Sequence, residues 1–154
     1  MNVANTDERW MREALLEARA AMEEGEVPIG AIAVCGERQV GKAHNVRERT
    51  HNPLGHAETL LIDEIARRRG AWRLDDVTIY VTCEPCLMCA GTMLQARIPK
   101  VVYGCADPKA GAMGSLYDVT NDGRLNHRIE VVRGVLKTEC AAALGKFFEE
   151  LRRT

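Results

Sequence analysis

The chain has 154 residues, of which 21 are basic and 22 are acidic, so its formal net charge is −1. This balance argues against a protein that coats nucleic acid through its overall charge, and the length is typical of a single domain, predicted over residues 1–154. The sequence contains no run of about 18 apolar residues, and residues 1–12 lack the apolar centre of a signal peptide. We therefore expect a cytoplasmic protein with no membrane partner.

Hydrophobic periodicity and turn residues predict a helix, a hairpin and a second helix in the first half of the chain. Apolar side chains recur at helical spacing after Asn5, which we expect to cap the helix with Glu8 three positions later. Residues 36–38, Gly-Glu-Arg, are typical of a turn between two short strands. The predicted boundaries are a helix over 5–24, strands over 30–35 and 39–45, a polar loop over 46–55 and a helix over 56–69.

Strands and helices alternate in the second half of the chain. The predicted boundaries are a strand over 77–82, a helix over 85–96, a strand over 100–104, a loop over 107–114, a strand over 128–136 and a helix from 138 to about 153. Pro85 is expected in the first turn of its helix, where its missing N–H would be unpaired anyway. The packing face of the last helix is expected to consist of Leu144, Phe147, Phe148 and Leu151. A hairpin followed by alternating strands and helices predicts an α/β domain with a mixed sheet between helices.

Two short segments about thirty residues apart carry metal-ligating side chains. They are His56-Ala57-Glu58 and the run Pro-Cys-Leu-Met-Cys at 85–89. Cys86 and Cys89 lie on one face of a predicted helix start, where the positive end of the helix dipole favours thiolates. One imidazole and two thiolates without a fourth ligand form the pattern of a zinc site that keeps one position for water.

Glu58 is the carboxylate that this ligand set leaves over. It lies two residues from His56, and the helical turn directs its side chain away from the imidazole. Zinc would lower the pKa of its water to about 7, and Glu58 could then move protons between that water and a substrate. For an aminated base, this chemistry is addition of hydroxide to the ring followed by loss of ammonia.

Other interpretations of the cysteines remain open at this point. Cys83 could supply a fourth ligand to a structural zinc site, although it precedes Pro85 on the strand side and need not face Cys86 and Cys89. The spacing Cys-x-x-Cys-x-x-Cys also occurs in iron–sulfur proteins, but the usual fourth cysteine is missing here. The remaining cysteines are expected to be small buried apolar residues: Cys35, Cys105 and Cys140.

The pattern His-x-Glu…Pro-Cys-x-x-Cys is the signature of the zinc-dependent nucleobase deaminases. The wider sequence resembles the bacterial tRNA-specific adenosine deaminases, which convert the wobble adenosine of an arginine tRNA anticodon to inosine. The matching segments are 26–31, 41–45, 80–91, 97–98, 101–104, 107–109, 114–116, 126–127, 139–140 and 147–148. The zinc motif identifies only the superfamily, whereas the 107–109 loop and the terminal helix narrow the resemblance to this family.

The resemblance implies the fold and the chemistry of the site. The fold would be a cytidine-deaminase-like three-layer α/β/α domain with a five-stranded mixed sheet. One Zn2+ ion per subunit would be held by His56, Cys86 and Cys89, and its hydroxide would attack C6 of adenosine while Glu58 shuttles protons. Cys83 departs from the family, because relatives often carry a leucine-like residue there.

The resemblance also implies the substrate contacts and the assembly. Asn45 would hydrogen-bond the flipped adenine, and Val27 and Ala57 would line its pocket. The tRNA anticodon stem-loop would be contacted by Asp107, Lys109, Phe148 and Arg152. The protein would be a homodimer whose RNA site uses both subunits.

Two other functions compete with this interpretation. A zinc deaminase of a free base or nucleoside, of guanine or cytosine type, would share the metal chemistry but lack an RNA-facing surface. A structural zinc module that binds nucleic acid would need four protein ligands and would leave Glu58 without a role. Metal coordination and the loop around Asp107 distinguish these alternatives.

Overall fold

Five strands form one mixed sheet in the order β2-β1-β3-β4-β5 in the computed structural model, which describes residues 2–153. In chain order the elements are α1 (Val3–Glu23), β1 (Gly30–Cys35), β2 (Arg38–His44), α2 (Ala57–Arg69), β3 (Val77–Cys83), α3 (Leu87–Gln95), β4 (Lys100–Cys105), β5 (Glu130–Arg133) and α4 (Lys137–Arg153). β1 runs antiparallel to β2 and β3, whereas β3, β4 and β5 are parallel. The predicted α/β fold with a five-stranded mixed sheet is therefore confirmed.

Helices cover both faces of the sheet. α2 and α3 pack on one face through residues such as Leu61 and Met93, next to the strand residue Ile79. α1 and α4 pack on the other face, where Met11 and Cys140 are buried against strand residues. Because side chains alternate along a strand, β3 and β4 supply apolar residues to both layers, which explains their nearly continuous burial.

Two glycines allow the helices of the second layer to approach the sheet closely. A β-carbon at Gly30 would overlap the carbonyl oxygen of Ala14 in α1. A β-carbon at Gly104 would overlap the Sγ atom of Cys140 in α4. The start of β1 and the end of β4 are therefore fixed against these two helices. This fixes the position of the segment before β1 and of the loop after β4.

Several predicted boundaries differ from the structure. The cap of α1 is Asn2 and not Asn5, because the Asn2 side chain accepts a hydrogen bond of 3.0 Å from the Ala4 N–H. Pro85 lies before α3 and not in its first turn, since Cys86 is the residue that caps this helix. β5 is shorter than predicted and is followed by Gly134, whose φ of +81° departs from extended backbone.

The packing face predicted for α4 is partly wrong. Cys140 is the buried residue of this helix, while Leu144 and Phe147 are half-buried. Phe148 and Leu151 are 41% and 57% exposed. α4 therefore contacts the sheet mainly through its first half. None of the helices within residues 2–153 combines the length and the apolarity needed to cross a membrane.

His44, the last residue of β2, joins the sheet to α1. Its Nδ1 atom lies 2.8 Å from a carboxylate oxygen of Glu17, and its Nε2 atom lies 3.1 Å from one of Glu24. Partial burial lowers the pKa of His44, but the hydrogen bonds to the two carboxylates outweigh it and hold the pKa above its ordinary value. Folding therefore favours the protonated imidazole.

Replacement of His44 by glutamine should give a stability loss that depends on pH. A raised folded-state pKa contributes stability that is fully present below the unfolded pKa of about 6.5. That contribution is lost as the pH rises through the higher pKa of the folded state. Urea unfolding of both proteins between pH 5 and 9 should show the largest difference in unfolding free energy at the acidic end, roughly the range in which histidine titrates. A difference that is constant with pH would rule out this ionic role.

Candidate metal centre and substrate cavity

Three predicted ligands lie together at the starts of two helices. The Nδ1 atom of His56 lies 3.6 Å from Sγ of Cys86 and 3.4 Å from Sγ of Cys89. All three ligand atoms lie within 4.8 Å of one another. The two segments that the sequence places about thirty residues apart therefore meet in one cluster.

The local backbone explains why these side chains converge. His56 caps α2 and Cys86 caps α3, both with extended backbone and without a hydrogen bond from the side chain to the helix. A capping side chain projects past the helix end, and the third helical residue, here Cys89, reaches back toward it. The unpaired N–H groups of both first turns create a positive environment that favours thiolates.

The donor set and its spacing could hold a tetrahedral metal ion such as zinc. Bonds of about 2.3 Å to sulfur and about 2.05 Å to nitrogen at tetrahedral angles would place the nitrogen and sulfur about 3.6 Å apart. The observed separations of 3.6 and 3.4 Å agree with this value. Among residues 2–153, no other group of three histidine, cysteine or acidic side chains is arranged to bind a metal.

The two cysteines of the cluster differ in pKa because they share a hydrogen bond. A hydrogen bond from Cys89 and the neighbouring His56 lower the pKa of Cys86 to about 3. The hydrogen bond that Cys89 donates, together with burial, raises the pKa of Cys89. The hydrogen bond to Cys86 raises the pKa of His56. Cys89 is the donor and Cys86 the acceptor of the hydrogen bond between the two side chains.

Glu58 lies next to this cluster and is 4% exposed. It is the second residue of α2, two residues beyond His56. Burial raises the pKa of Glu58 to about 7, although the charge of His56 opposes this shift. A carboxyl group with this pKa can both accept and donate a proton near neutral pH.

Cys83 is separated from the ligand cluster. It is the last residue of β3 and is buried with Trp10, Met11 and Cys140 on the α1/α4 side of the sheet. A hydrogen bond with Cys105 and burial raise the pKa of Cys83, so this side chain is a thiol. Cys83 is not part of the metal-binding group, which argues against a fourth thiolate ligand.

A cavity of about 550 Å³ is lined by Cys83 at the end of β3, by the loop after β4 and by α4, and none of His56, Glu58, Cys86 and Cys89 lines it. It brings together five of the residues predicted to contact the substrate: Val27, Asp107, Lys109, Phe148 and Arg152. One carboxylate oxygen of Asp107 accepts hydrogen bonds from the N–H groups of Lys109 and Ala110, at 3.0 and 3.2 Å. Asp107 thus shapes the turn that presents Lys109 at the rim.

Asn45 and Ala57 lie outside the group that lines this cavity. The Asn45 side chain accepts a hydrogen bond of 3.0 Å from the Arg47 N–H and donates a long one of 3.5 Å to the Val27 carbonyl. Ala57 is fully buried between His56 and Glu58. Asn45 is therefore linked to the cavity through Val27, whereas Ala57 packs in the core beneath α2.

Two buried carboxylates that sequence reasoning missed hold the loops around the site. Glu26 accepts hydrogen bonds from the N–H groups of Glu48 and Arg49 at 3.0 and 2.7 Å, which fixes the loop before His56. Glu84 holds the loop that contains Asp107 in the same way. The available signal was an acidic residue beside an apolar strand, next to Val27 in one case and Cys83 in the other.

Comparison with known proteins places this geometry in a family. The model of the MafB19-like deaminases matches residues 5–152. The chain is 49% identical over 147 residues to a tRNA-specific adenosine deaminase of Bacillus subtilis, covering 96% of this chain and 91% of the relative. A relative with the same name from Streptococcus pyogenes serotype M1 is 43% identical over 143 residues, covering 93% of this chain and 84% of the relative.

Solved structures agree with this relationship. One from a study of A-to-I editing by tRNA:A34 deaminases superposes with a TM-score of 0.82 and 36% identity, covering 88% of this chain and 99% of that chain. A guanine deaminase from Nitrosomonas europaea superposes with a TM-score of 0.77 at 20% identity, covering 91% and 83%, which indicates a shared fold only. The chain therefore belongs to the MafB19-like deaminase family and, within it, to the tRNA-specific adenosine deaminases.

Proposed function

We propose that this protein hydrolyses adenosine to inosine and ammonia at the wobble position of a tRNA anticodon, with an arginine tRNA as the expected substrate. The observation that carries the proposal is a three-ligand cluster with a buried carboxylate beside it, His56, Cys86, Cys89 and Glu58. Three protein ligands leave one coordination position for water, as in a catalytic site and unlike a structural one. We assign the chain to the cytoplasm as one deaminase domain.

We assign one zinc ion per subunit to His56, Cys86 and Cys89, because imidazole and thiolate ligands suit this metal. Zinc supplies the Lewis acidity that makes water nucleophilic at neutral pH. A carboxylate oxygen of Glu58 accepts one proton of the attacking water and passes it to N1 of the adenine ring. It then transfers the second proton, from the new hydroxyl group on C6, to the departing amino group. The C6–N bond breaks, ammonia leaves, and the C6–O bond of inosine remains.

The residues around the adenine have distinct parts in this proposal. The Oδ1 atom of Asn45 is already engaged by the Arg47 N–H, so its amide N–H groups remain to donate to the base. Its bond to the Val27 carbonyl is long at 3.5 Å and can be exchanged for a ligand at little cost. Val27, which lines the cavity, then supplies an apolar contact to the flipped ring, whereas the fully buried Ala57 supports the pocket from the core.

The cavity that Lys109, Phe148 and Arg152 line suits single-stranded RNA. Lys109 and Arg152 form no ion pair among residues 2–153, so their charges are free to meet phosphates. Phe148 is 41% exposed at the same cavity and can stack on a base. Asp107 holds the protein turn that presents Lys109. Asp107 would therefore act on the RNA anticodon loop through the backbone of this protein turn.

The experiment that tests the proposal compares two kinds of substrate. We expect inosine at the wobble adenosine of an arginine tRNA stem-loop, and no product from free adenosine, guanine or cytosine. Ammonia release from a free base with an unchanged stem-loop would reject the tRNA assignment and favour the small-molecule deaminase. No deamination of any substrate by the zinc-loaded protein would reject the enzyme assignment.

Lys109 provides a test of the RNA surface. Replacement by alanine should weaken stem-loop binding at every sequence and lower the slope of log Kd against log salt by about 0.7–1, since one phosphate contact is lost. Arg38→Ala is the matched control, because Arg38 is exposed and pairs with Cys35 at the far end of β1. That end of β1 is about 17 Å from Gly30, which follows the cavity residue Ile29. Titrations at four salt concentrations measure both slopes, and equal slopes for Lys109→Ala and the wild type would exclude the contact.

We also propose that the protein is a homodimer. Large apolar side chains that should be covered in the assembly are exposed on one subunit: Leu54, Trp72, Leu87, Leu116 and Tyr117. Trp72 is 61% exposed beside α2 and α3, in a depression that also involves Ile62 and Thr92. Light scattering should give twice the mass of the chain, and a monomer at micromolar concentration would reject the dimer.

A further inference from the structure

Glu84 occupies an unusual position between β3 and the first cysteine ligand. It is 3% exposed and forms no ion pair with any cation among the described residues 2–153. A buried carboxylate without a cation must be satisfied by hydrogen-bond donors, since the cost of removing its charge from water is otherwise several kcal/mol or more. All of the donors that Glu84 uses come from one loop.

That loop, residues 106–115, wraps its backbone around the carboxylate. The Asp107 N–H donates to one oxygen at 3.0 Å, and the N–H groups of Met113 and Ser115 donate to the other at 3.0 and 3.1 Å. The hydroxyl of Ser115 donates a fourth hydrogen bond. Gly111 lies directly against the carboxylate, where a β-carbon would overlap it. The loop is therefore built around this side chain.

The same short segment of chain positions the metal ligand. Cys86 follows Glu84 by two residues and forms an isolated β-bridge with Gly111 of the loop. The Ala112 N–H also donates to the Pro85 carbonyl at 2.9 Å. Glu84 thus lies at a junction where the loop is tied on one side to the Cys86 segment and on the other to Asp107.

From this geometry we infer that Glu84 is a positioning residue that couples the metal ligand Cys86 to the RNA-contacting turn at Asp107–Lys109. The inference rests on the proposed function, which supplies the roles of Cys86 and Lys109. Four charge-assisted hydrogen bonds to one carboxylate hold two segments in a fixed relation, so displacement of one is transmitted to the other. Metal loading should therefore tighten the loop, and the loop should slow loss of the metal.

Glu84→Gln is the variant that tests this coupling. Both carboxylate oxygens of Glu84 accept hydrogen bonds, whereas the glutamine amide has only one oxygen. In either orientation of the amide, its NH2 group would face backbone N–H groups, and two donors cannot form a hydrogen bond. We expect metal loss to an excess of chelator to become about 10- to 100-fold faster, the range typical of residues that support metal ligands. Zinc loading should slow amide hydrogen exchange at residues 107–115 of the wild type. In the variant, zinc loading should give these residues little added protection.

Asp7→Asn is the control for a general loss of stability. Asp7 is also a buried carboxylate, but it accepts from the Tyr80 hydroxyl at 2.8 Å between α1 and β3, in the other layer. The Asp7→Asn variant should have a lower melting temperature. Its rate of metal loss and the hydrogen-exchange protection of residues 107–115 should be those of the wild type. Ser115→Ala removes one of the four hydrogen bonds and should shift both readouts in the same direction as Glu84→Gln by a smaller factor, which keeps the test available if Glu84→Gln does not fold.

A double-mutant cycle links the coupling to RNA. If Glu84 acts through the turn, Lys109→Ala should weaken stem-loop binding by a smaller factor in the Glu84→Gln background than in the wild type. Three results would each overturn the inference. They are additive losses of binding in the double variant, a wild-type rate of metal loss in Glu84→Gln, and zinc-dependent protection in Glu84→Gln equal to that of the wild type. The chelator and exchange measurements need no RNA, so a wild-type protein that fails to bind the stem-loop would reject the proposed function without deciding the Glu84–Cys86 link.

Discussion

Replacement of Glu58 by glutamine should lower the rate of adenosine deamination by about 10²- to 10⁴-fold, because it removes the group that moves protons. Glutamine keeps the size of the side chain and can still form hydrogen bonds, but it cannot accept the proton of the attacking water. Burial raises the pKa of Glu58 to about 7, so the native carboxyl group can change protonation state during turnover. The step that we expect to fail is therefore chemical and not one of binding.

Single-turnover formation of inosine at saturating stem-loop measures this effect separately from RNA affinity. Zinc content and RNA affinity should stay close to those of the wild type, since Glu58 is not one of the three ligand side chains. Glu64→Gln is the matched control, because Glu64 lies on the same helix and is exposed in an ion pair with Arg68. A Glu58→Gln protein that retains more than about a tenth of the wild-type rate would contradict the proton-transfer role, given the contribution that such groups make.

The metal cluster could be predicted from sequence because its information is local. His56 and the pair Cys86 and Cys89 each lie at a helix start that turn residues and periodicity indicate. The two starts converge because α2 follows β2 and α3 follows β3, and both strands are antiparallel to β1, so they end at the same edge of the sheet. The spacing of the side chains, together with the rule that helix starts meet at the carboxyl ends of strands, was sufficient to predict this group of residues.

The loop anchors could not be predicted in this way. Glu84 receives hydrogen bonds from backbone groups 23 to 31 residues away, and Glu26 from groups 22 and 23 residues away. Backbone N–H groups exist at nearly every position, so the sequence gives no sign of which of them will face a given carboxylate. Periodicity alone placed Phe148 on a packing face, and it is exposed because α4 extends beyond the sheet, whereas the family resemblance had already placed it at the RNA.

Cys86→Ser should abolish stoichiometric zinc binding with little direct damage to α3. Serine is among the best helix-capping residues, so the variant keeps a cap at the start of this helix while it loses a thiolate. A metal that binds only the folded state stabilises it by about 2.7 kcal/mol when its free concentration is 100 times its Kd. The variant should therefore melt near the temperature of the chelator-treated wild type and should not respond to chelator itself.

Cys83→Ala separates this effect from the loss of any buried cysteine. Cys83 lies three residues earlier and is 4% exposed, but it faces the α1/α4 layer and has the raised pKa of a thiol. Its removal should lower the melting temperature through lost packing, while the difference between zinc-loaded and chelated protein stays as large as in the wild type. Loss of zinc from Cys83→Ala would instead indicate a four-ligand structural site. Full zinc occupancy in Cys86→Ser would remove Cys86 from the ligand set. Because the two cysteines are neighbours in sequence but lie on opposite faces of the sheet, this pair of variants tests the open-coordination site on which the proposed hydrolysis depends.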